Sequence, residues 1–254
     1  MVLEAIESIR QQQCADLEII VVDDGSTDHT RAEIKSMFPE ILLVKLNGVG
    51  PGSARNAGVD ASSGEILMFL DSDDLWLENH VQQLVDVLKR GFQVAYGTTK
   101  TIDEIGGGDF LIPDKDEGQE GDCFDPLCRW CFMVPSSVAV NREAFEAVGG
   151  FDTVTCGEDW IFFLKLSARF PFGFAGPHPI TLRRLHRGSL CFLSDRKKLL
   201  AIIKQVFSVL ENEPRATAAQ RNNFTMLYEW TAANMDQWET VQDWYLQMLR
   251  EKTI

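Results

Sequence analysis

A chain of 254 residues, 45% of them hydrophobic, carries enough apolar mass for one large α/β domain or for an ordinary domain plus an extension, and does not read as disordered. Its 38 acidic residues against 24 basic ones leave a formal charge of −14 with no Lys/Arg-rich run, which argues against nucleic acid and anionic membrane surfaces as partners. A phosphate-bearing ligand would enter such a field only with a divalent cation between, a condition compatible with a metal cofactor.

Taken in chain order, helix and strand signals alternate through the first two-thirds, the pattern of parallel strands joined by crossover helices. Residues 3–13 have helical spacing through Leu3, Ile6 and Ile9, and 17–22 form a near-continuous apolar run expected of a strand buried on both faces. A weaker helix over 28–38 and a strand over 41–46 follow. The loop 48–52 then leads into a short helix over 53–61, and 65–70 form a third strand. Residues 77–90 predict a firm amphipathic helix with Val81, Leu84, Val85 and Leu88 on one face. A strand over 92–96 comes next. From 104 to 122 the composition turns to Gly, Asp and Glu, opening on Gly106-Gly107-Gly108, which fits a loop or irregular hairpin. Strand 136–140, helices 142–148 and 158–168, and a late strand 180–185 complete the alternation. After Ser194 three helices are expected, over 195–210, 216–235 and 240–251. The division is therefore 1–193 as the α/β domain and 194–254 as a helical extension.

The longest apolar run near a candidate site, Ile66 to Leu70, is far too short to span a membrane. Glu4 and Glu7 stand where a secretory signal would be basic then apolar, so the cytoplasm is the expected address. Six cysteines lie at 14, 123, 128, 131, 156 and 191. Cys128-x-x-Cys131 lacks a second zinc-spaced pair and has Leu127, Trp130 and Phe132 as neighbours, so buried free thiols are favoured over a zinc site.

Two acidic clusters follow predicted buried strands: Asp23-Asp24-Gly25-Ser26 and Asp71-Ser72-Asp73-Asp74. Both fall at carboxyl ends of strands, where open α/β sheets bind ligands. The second cluster reads either as a site for Mg²⁺ or Mn²⁺ or as a helix cap. A cap needs one such residue, and three carboxylates within four residues repel one another without a cation, which favours the metal. Between the clusters, Gly48-Val49-Gly50-Pro51-Gly52 permits close backbone approach, and Arg55 near a helix start could meet a phosphate or a base. That loop matches neither the Walker A pattern nor the dinucleotide fingerprint. Glu158-Asp159 opens a helix, where acids usually serve the helix dipole; the alternative is a general base on an acceptor hydroxyl. His186 sits at a strand end, where a lone histidine is more often a surface or satisfied residue than a ligand.

In this order the segments resemble the GT-A-fold inverting glycosyltransferases of the family 2 group. Residues 17–28 are similar to that family's first nucleotide-binding turn, 54–58 to its second donor-binding segment, and 69–74 to its DxD motif. Gly149-Gly150-Phe151-Asp152 and Gly157-Glu158-Asp159-Trp160 resemble its acceptor-side motif, and 183–189 a late segment whose histidine can complete a metal shell. The resemblance implies a Rossmann-like, mostly parallel sheet flanked by helices. It implies transfer of a sugar from a nucleoside diphosphate, UDP by family habit, to a saccharide or other hydroxyl acceptor, in the manner of cell-envelope polysaccharide biosynthesis. Asp24 and Arg55 would hold base and phosphate, Asp71 the ribose, Asp73 with His186 a Mn²⁺ or Mg²⁺ ion, and Asp159 would be the catalytic base. The family's first strand would lie just before residue 1, so the start is expected to be truncated or misassigned; the alternative is a noncatalytic or degenerate nucleotide-sugar binder, with a nucleotidyltransferase behind it. The C-terminal helices have three open uses: packing on the domain, which is favoured, contact with the acceptor's lipid carrier at the inner face of a membrane, and a homodimer face.

Overall fold

The structure, a computed structural model, describes residues 1–14, 16–104, 108–154, 156–190 and 198–239, together with 243, 244 and 247. Cys191, Gly106, Gly107, residues 195–197 of one expected helix and most of the helix expected over 240–251 lie outside the described residues. Helix α1 (Val2–Arg10) buries Ile6 against Ile34 and Phe38 of the segment carrying α2 (Thr30–Met37), on a small parallel sheet of β1 (Ile20–Asp24) and β2 (Leu42–Leu46). Past its end, Gln12 fastens α1 to the start of α4 (His80–Leu88). Its amide nitrogen donates to the Leu77 carbonyl, and its oxygen accepts the Val81 N–H, one of the donors that a helix start leaves unpaired.

The larger sheet runs in the order β3 (Ile66–Met68), β7 (Val138–Asn141), β5 (Val94–Asp103), β8 (Phe172–Leu185) and β4 (Leu75–Trp76), with β6 (Phe110–Ile112) paired to β5. The mostly parallel sheet expected from the helix–strand alternation needs correcting in detail. β1–β2 and β5–β8 pair in parallel, whereas β3–β7, β5–β7, β5–β6 and β4–β8 are antiparallel. The crossover through α4 does return the chain in the same sense, since β3 and β5 both run opposite to β7. What alternation does not reveal is that β7, from much later in the sequence, inserts between them. The β6 pairing is the irregular hairpin anticipated within 104–122.

Central strands are buried on both faces. Val94 and Tyr96 of β5 and Val138 and Val140 of β7 enter the main core, while Ala95 and Ala139 face α4 on the other side. The small residues let α4 approach, with Leu84, Val87 and Leu88 turned to the sheet. On the opposite face lies α7 (Glu158–Ser167), whose Phe162, Phe163 and Leu164 are fully buried. The short helices α5 (Phe124–Leu127) and α6 (Arg142–Ala147) border this core.

The C-terminal helices α8 (Leu199–Asn212) and α9 (Ala218–Asn234) pack into that same core through Leu199, Ile203, Val206, Phe224 and Leu227. Thr217 and Gln220 form a reciprocal capping box at the start of α9. Cys123, Cys128 and Cys131 are buried among the same apolar side chains as free thiols, and Cys156 is buried with them. Burial pushes the Cys123 and Cys128 thiols up to about 12, keeping them protonated and weakly nucleophilic. Among the described residues no helix is long and apolar enough to cross a membrane.

Candidate functional site

Strand β3 delivers the acidic turn. Asp74 N–H donates to the Asp71 carbonyl at 3.0 Å, closing the turn, and β4 departs immediately after it. The turn sends its carboxylates in different directions. Asp71 turns to Arg55 at 2.7 Å, and Asp73 Oδ2 lies 3.1 Å from His186 Nε2. Asp74 turns inward, where its carboxylate accepts from Ser136 Oγ at 2.6 Å and from the Arg184 N–H at 3.2 Å. Asp74 is thus not the cap of α4, whose N-cap position is Asn79. Burial, aided by the negative charges of Asp71 and Asp73 and opposed by the Ser136 hydrogen bond, pushes its carboxyl up to about 7.

Arg55, on α3 (Pro51–Asp60), binds two acids at once: Nη2 donates to Asp71 at 2.7 Å and Nη1 to Glu158 at 2.7 Å. Its guanidinium also lies over the Phe151 ring, 5.2 Å from the centroid. Burial disfavours its charge, but Asp71 and Glu158 more than offset this, so its pKa is raised. The next residue, Asn56, pairs edge to edge with the backbone of Phe151, accepting its N–H and donating to its carbonyl. Gly52 permits the approach, because a Cβ there would sit 2.3 Å from the Asp152 carbonyl oxygen. Residues 52–56 therefore join the acidic turn to the segment 149–159. Arg55 is committed to carboxylates rather than turned to an open phosphate site.

Helix α7 begins with Gly157 at φ +83, and Glu158 and Asp159 form its first turn. Glu158 is buried against Arg55. Burial raises its pKa, as does the charge of Asp159, while Arg55 pulls it back. Asp159 is likewise raised by burial and held back by Arg55, by its own hydrogen bond from Trp160 N–H and by Arg183. Its Oδ1 accepts that N–H at 2.7 Å. The turn rests on the C-terminal helices: a Cβ on Gly157 would lie 2.8 Å from Ile202 Cγ2, and the Trp160 ring packs 5.5 Å from that of Phe224. Ile202→Ala is expected to cost about 2–4 kcal/mol in a denaturant melt, because it opens a void beneath Glu158 and Asp159.

The remaining two residues singled out in the sequence have distinct surroundings. Asp24, at the end of β1, accepts the N–H groups of Val49 and Gly50 at 2.8 Å each, so it orders the glycine loop between the two acidic clusters. Asp23 is spent locally on Ser26 N–H and Arg31. At His186, the Gly188 N–H donates to Nδ1 at 3.0 Å, which places the ring proton on Nε2, where it is shared with Asp73. The carboxylate oxygen and imidazole suit Mn²⁺ or Mg²⁺ in type. Among the described residues no set of three or more such side chains stands ready to hold a metal. Asp73 fits the ion directly. His186 fits once the proton moves to Nδ1 and Gly188 turns its N–H away.

Sequence reasoning missed Ser136 and Arg183. Ser136 carries no motif signal. Arg183 lay within the quoted late segment, but only strand alternation separates it from its neighbour: Arg184 pairs with Glu4 on α1, while the positive charge of Arg183 is felt at Asp74 and Asp159.

Residues 1–149 match the family description "Glycosyl transferase family 2". An uncharacterized glycosyltransferase of Nostoc sp. is 34% identical over 161 residues, covering 59% of this chain and 49% of its own length. A UDP-Glc:alpha-D-GlcNAc-diphosphoundecaprenol beta-1,3-glucosyltransferase of Escherichia coli is 32% identical over 115 residues, 44% of this chain and 46% of that protein. The chain thus spans about half the length of these curated relatives. Among solved structures, residues 1–349 of S. aureus TarS in complex with UDP-GlcNAc superpose with a TM-score of 0.71 at 16% identity, over 89% of this chain and 67% of that one. That likeness concerns the fold, which is GT-A. With the family match covering more than half of its length and the acidic turn, Arg55 and Glu158-Asp159 gathered in one site, this chain belongs to glycosyl transferase family 2.

Proposed function

We propose that the chain is a metal-dependent inverting glycosyltransferase that moves a sugar from a UDP-sugar to a hydroxyl of a saccharide acceptor carried on a lipid diphosphate. The observation that carries this reading is the Arg55 bridge. It holds Asp71 of the acidic turn and Glu158, neighbour of Asp159, on one guanidinium at 2.7 Å each. Donor-side and acceptor-side acids thereby share one site, as a single in-line displacement requires. The Escherichia coli relative named for a UDP-Glc donor and a diphosphoundecaprenol acceptor supports the donor and acceptor classes. A Campylobacter jejuni relative, 36% identical over 99 residues and named a GalNAc(5)-diNAcBac-PP-undecaprenol beta-1,3-glucosyltransferase, supports the same acceptor class.

In this reading Asp71 engages the donor ribose, and Asp73, joined by His186, holds the divalent ion. When bound, that ion supplies positive charge against the negative charge that develops on the departing diphosphate. Asp159 takes the proton of the acceptor hydroxyl as its oxygen forms the new bond to the anomeric carbon and the bond to the diphosphate breaks. A single displacement of this kind inverts the anomeric configuration. Buried apolar surroundings, with Phe151, Phe162 and Trp160 behind the acids, strengthen these charge interactions.

Calorimetry with UDP and Mn²⁺, beside hydrolysis of a UDP-sugar panel, tests the reading. Mn²⁺-dependent UDP binding and turnover of at least one donor are expected, and Asp73→Ala should remove the metal dependence. Binding without turnover would instead mark a nucleotide-sugar binder, and no UDP binding with or without Mn²⁺ would sink the donor assignment.

A further inference from the structure

We propose that Ser136 is the positioning residue that sets the acidic turn 71–74 for the donor and its metal, an inference that rests on the donor-site reading above. Ser136 is fully buried in the short 3₁₀ turn Pro135–Ser137 that precedes β7, remote in sequence from the acids it serves. Its hydroxyl is used in both senses. Oγ donates to Asp74 Oδ2 at 2.6 Å and accepts the Asp71 N–H at 3.1 Å, so one atom holds both ends of the turn.

The hydroxyl itself is held in place from the other side of the residue. The Ser136 carbonyl accepts from Trp76 Nε1 at 3.0 Å and from Thr181 Oγ1 at 3.2 Å. Trp76 in turn stacks on His80 of α4, with ring centroids 4.3 Å apart, and its backbone N–H donates to Ser8 of α1. The turn is therefore referenced to β4, α4, β8 and α1 through one serine.

The physical need for this anchor lies in the turn itself. Three carboxylates in four residues repel, and the turn would relax by spreading them unless the backbone were fixed. Drawing Asp74 inward onto Ser136 and the Arg184 N–H leaves Asp71 directed to Arg55 and Asp73 directed to His186. Such support of ligand-bearing groups typically governs metal affinity by about 10- to 100-fold. Ser136 touches no donor atom in this account and acts through the turn.

Amide hydrogen exchange of residues 70–76 in the full chain, without ligand, is the first readout, and Mn²⁺ titration in the presence of UDP, followed by electron paramagnetic resonance, is the second. Ser136→Ala is expected to accelerate exchange in the turn and to weaken Mn²⁺ binding by about tenfold or more. Thr181→Val removes one of the two contacts to the Ser136 carbonyl and leaves the hydroxyl and the Trp76 contact in place; it should lower the melting temperature yet loosen the turn and weaken Mn²⁺ binding far less than Ser136→Ala. Unchanged exchange in Ser136→Ala, or equal loosening by Thr181→Val, would overturn the proposal. If Ser136→Ala does not fold, Asp74→Ala deletes the same hydrogen bond from its other partner, and exchange at the wild-type rate there would overturn it equally. A wild-type chain that fails to bind Mn²⁺ and UDP refutes the donor-site reading, and the ligand-free exchange comparison still decides the role of Ser136.

Discussion

Asp159→Asn is expected to lower transfer by at least about a thousandfold, the upper part of the range for removing a positioned general base, while UDP binding measured by calorimetry stays unchanged. Asparagine keeps the oxygen that accepts the Trp160 N–H, so α7 starts as before, but it cannot take a proton. The pH dependence sharpens the test. Burial raises the Asp159 pKa, so its basic form accumulates only above the ordinary aspartate value of about 3.9. The acid limb of kcat/KM should therefore lie above that value, with the rate rising as pH rises through it.

Stability should move the opposite way. A carboxyl whose pKa is raised in the folded state contributes stability that is fully present below its unfolded pKa and is lost as pH rises through the folded one. Asp159→Asn removes that loss. Melts across the same pH series should accordingly show, as pH rises above about 3.9, a shallower decline than the wild type. Wild-type turnover in Asp159→Asn would refute the base assignment outright.

Arg55→Ala has the second large effect, on stability and chemistry together. It deletes two 2.7 Å ion pairs and the stacking over Phe151. Glu158, nearly buried, is left without its counter-charge, a situation that costs about 3 kcal/mol, or roughly a 10 °C fall in melting temperature. Asp71 is 41% exposed, so water screens its loss and it adds little. Because the Arg55 charge holds the Asp159 pKa down, its removal should carry the acid limb of kcat/KM to still higher pH. Arg55→Lys keeps a positive charge but not the planar fork that reaches both acids, so it should restore the position of the limb better than the melting temperature. An Arg55→Ala limb coincident with the wild type would show that the guanidinium serves packing alone.

These expectations separate two kinds of information. Local pattern carried the element order: apolar runs marked the strands, although β1, expected to be buried on both faces, is only half-buried, and Asp71 to Asp74, Arg55-Asn56 and Glu158-Asp159 stood out as charged groups at element ends. The same pattern offered Arg55 to a phosphate or a base, because a guanidinium near a helix start and a glycine loop invites a ligand. It could not reveal that the anions meeting it belong to the protein, from 16 and 103 residues along the chain. Asp74 likewise balanced between metal ligand and helix cap until Ser136, 62 residues away, proved to be its partner.

By itself the sequence determined the order of most helices and strands, the acidic residues proposed to bear the chemistry and the family to which the chain belongs, since these depend on residue type, spacing and local periodicity. Tertiary structure alone decided strand direction, because β7 enters between β3 and β5 from a distant part of the chain. It also decided the use of the C-terminal helices, whose apolar faces would have suited a partner but close the core behind Asp159. Above all it decided which charge meets which. A carboxylate's direction and pKa are set by the groups folded against it, and at this site those groups, Arg55, Ser136 and the pair Arg183 and His186, arrive from three separate segments.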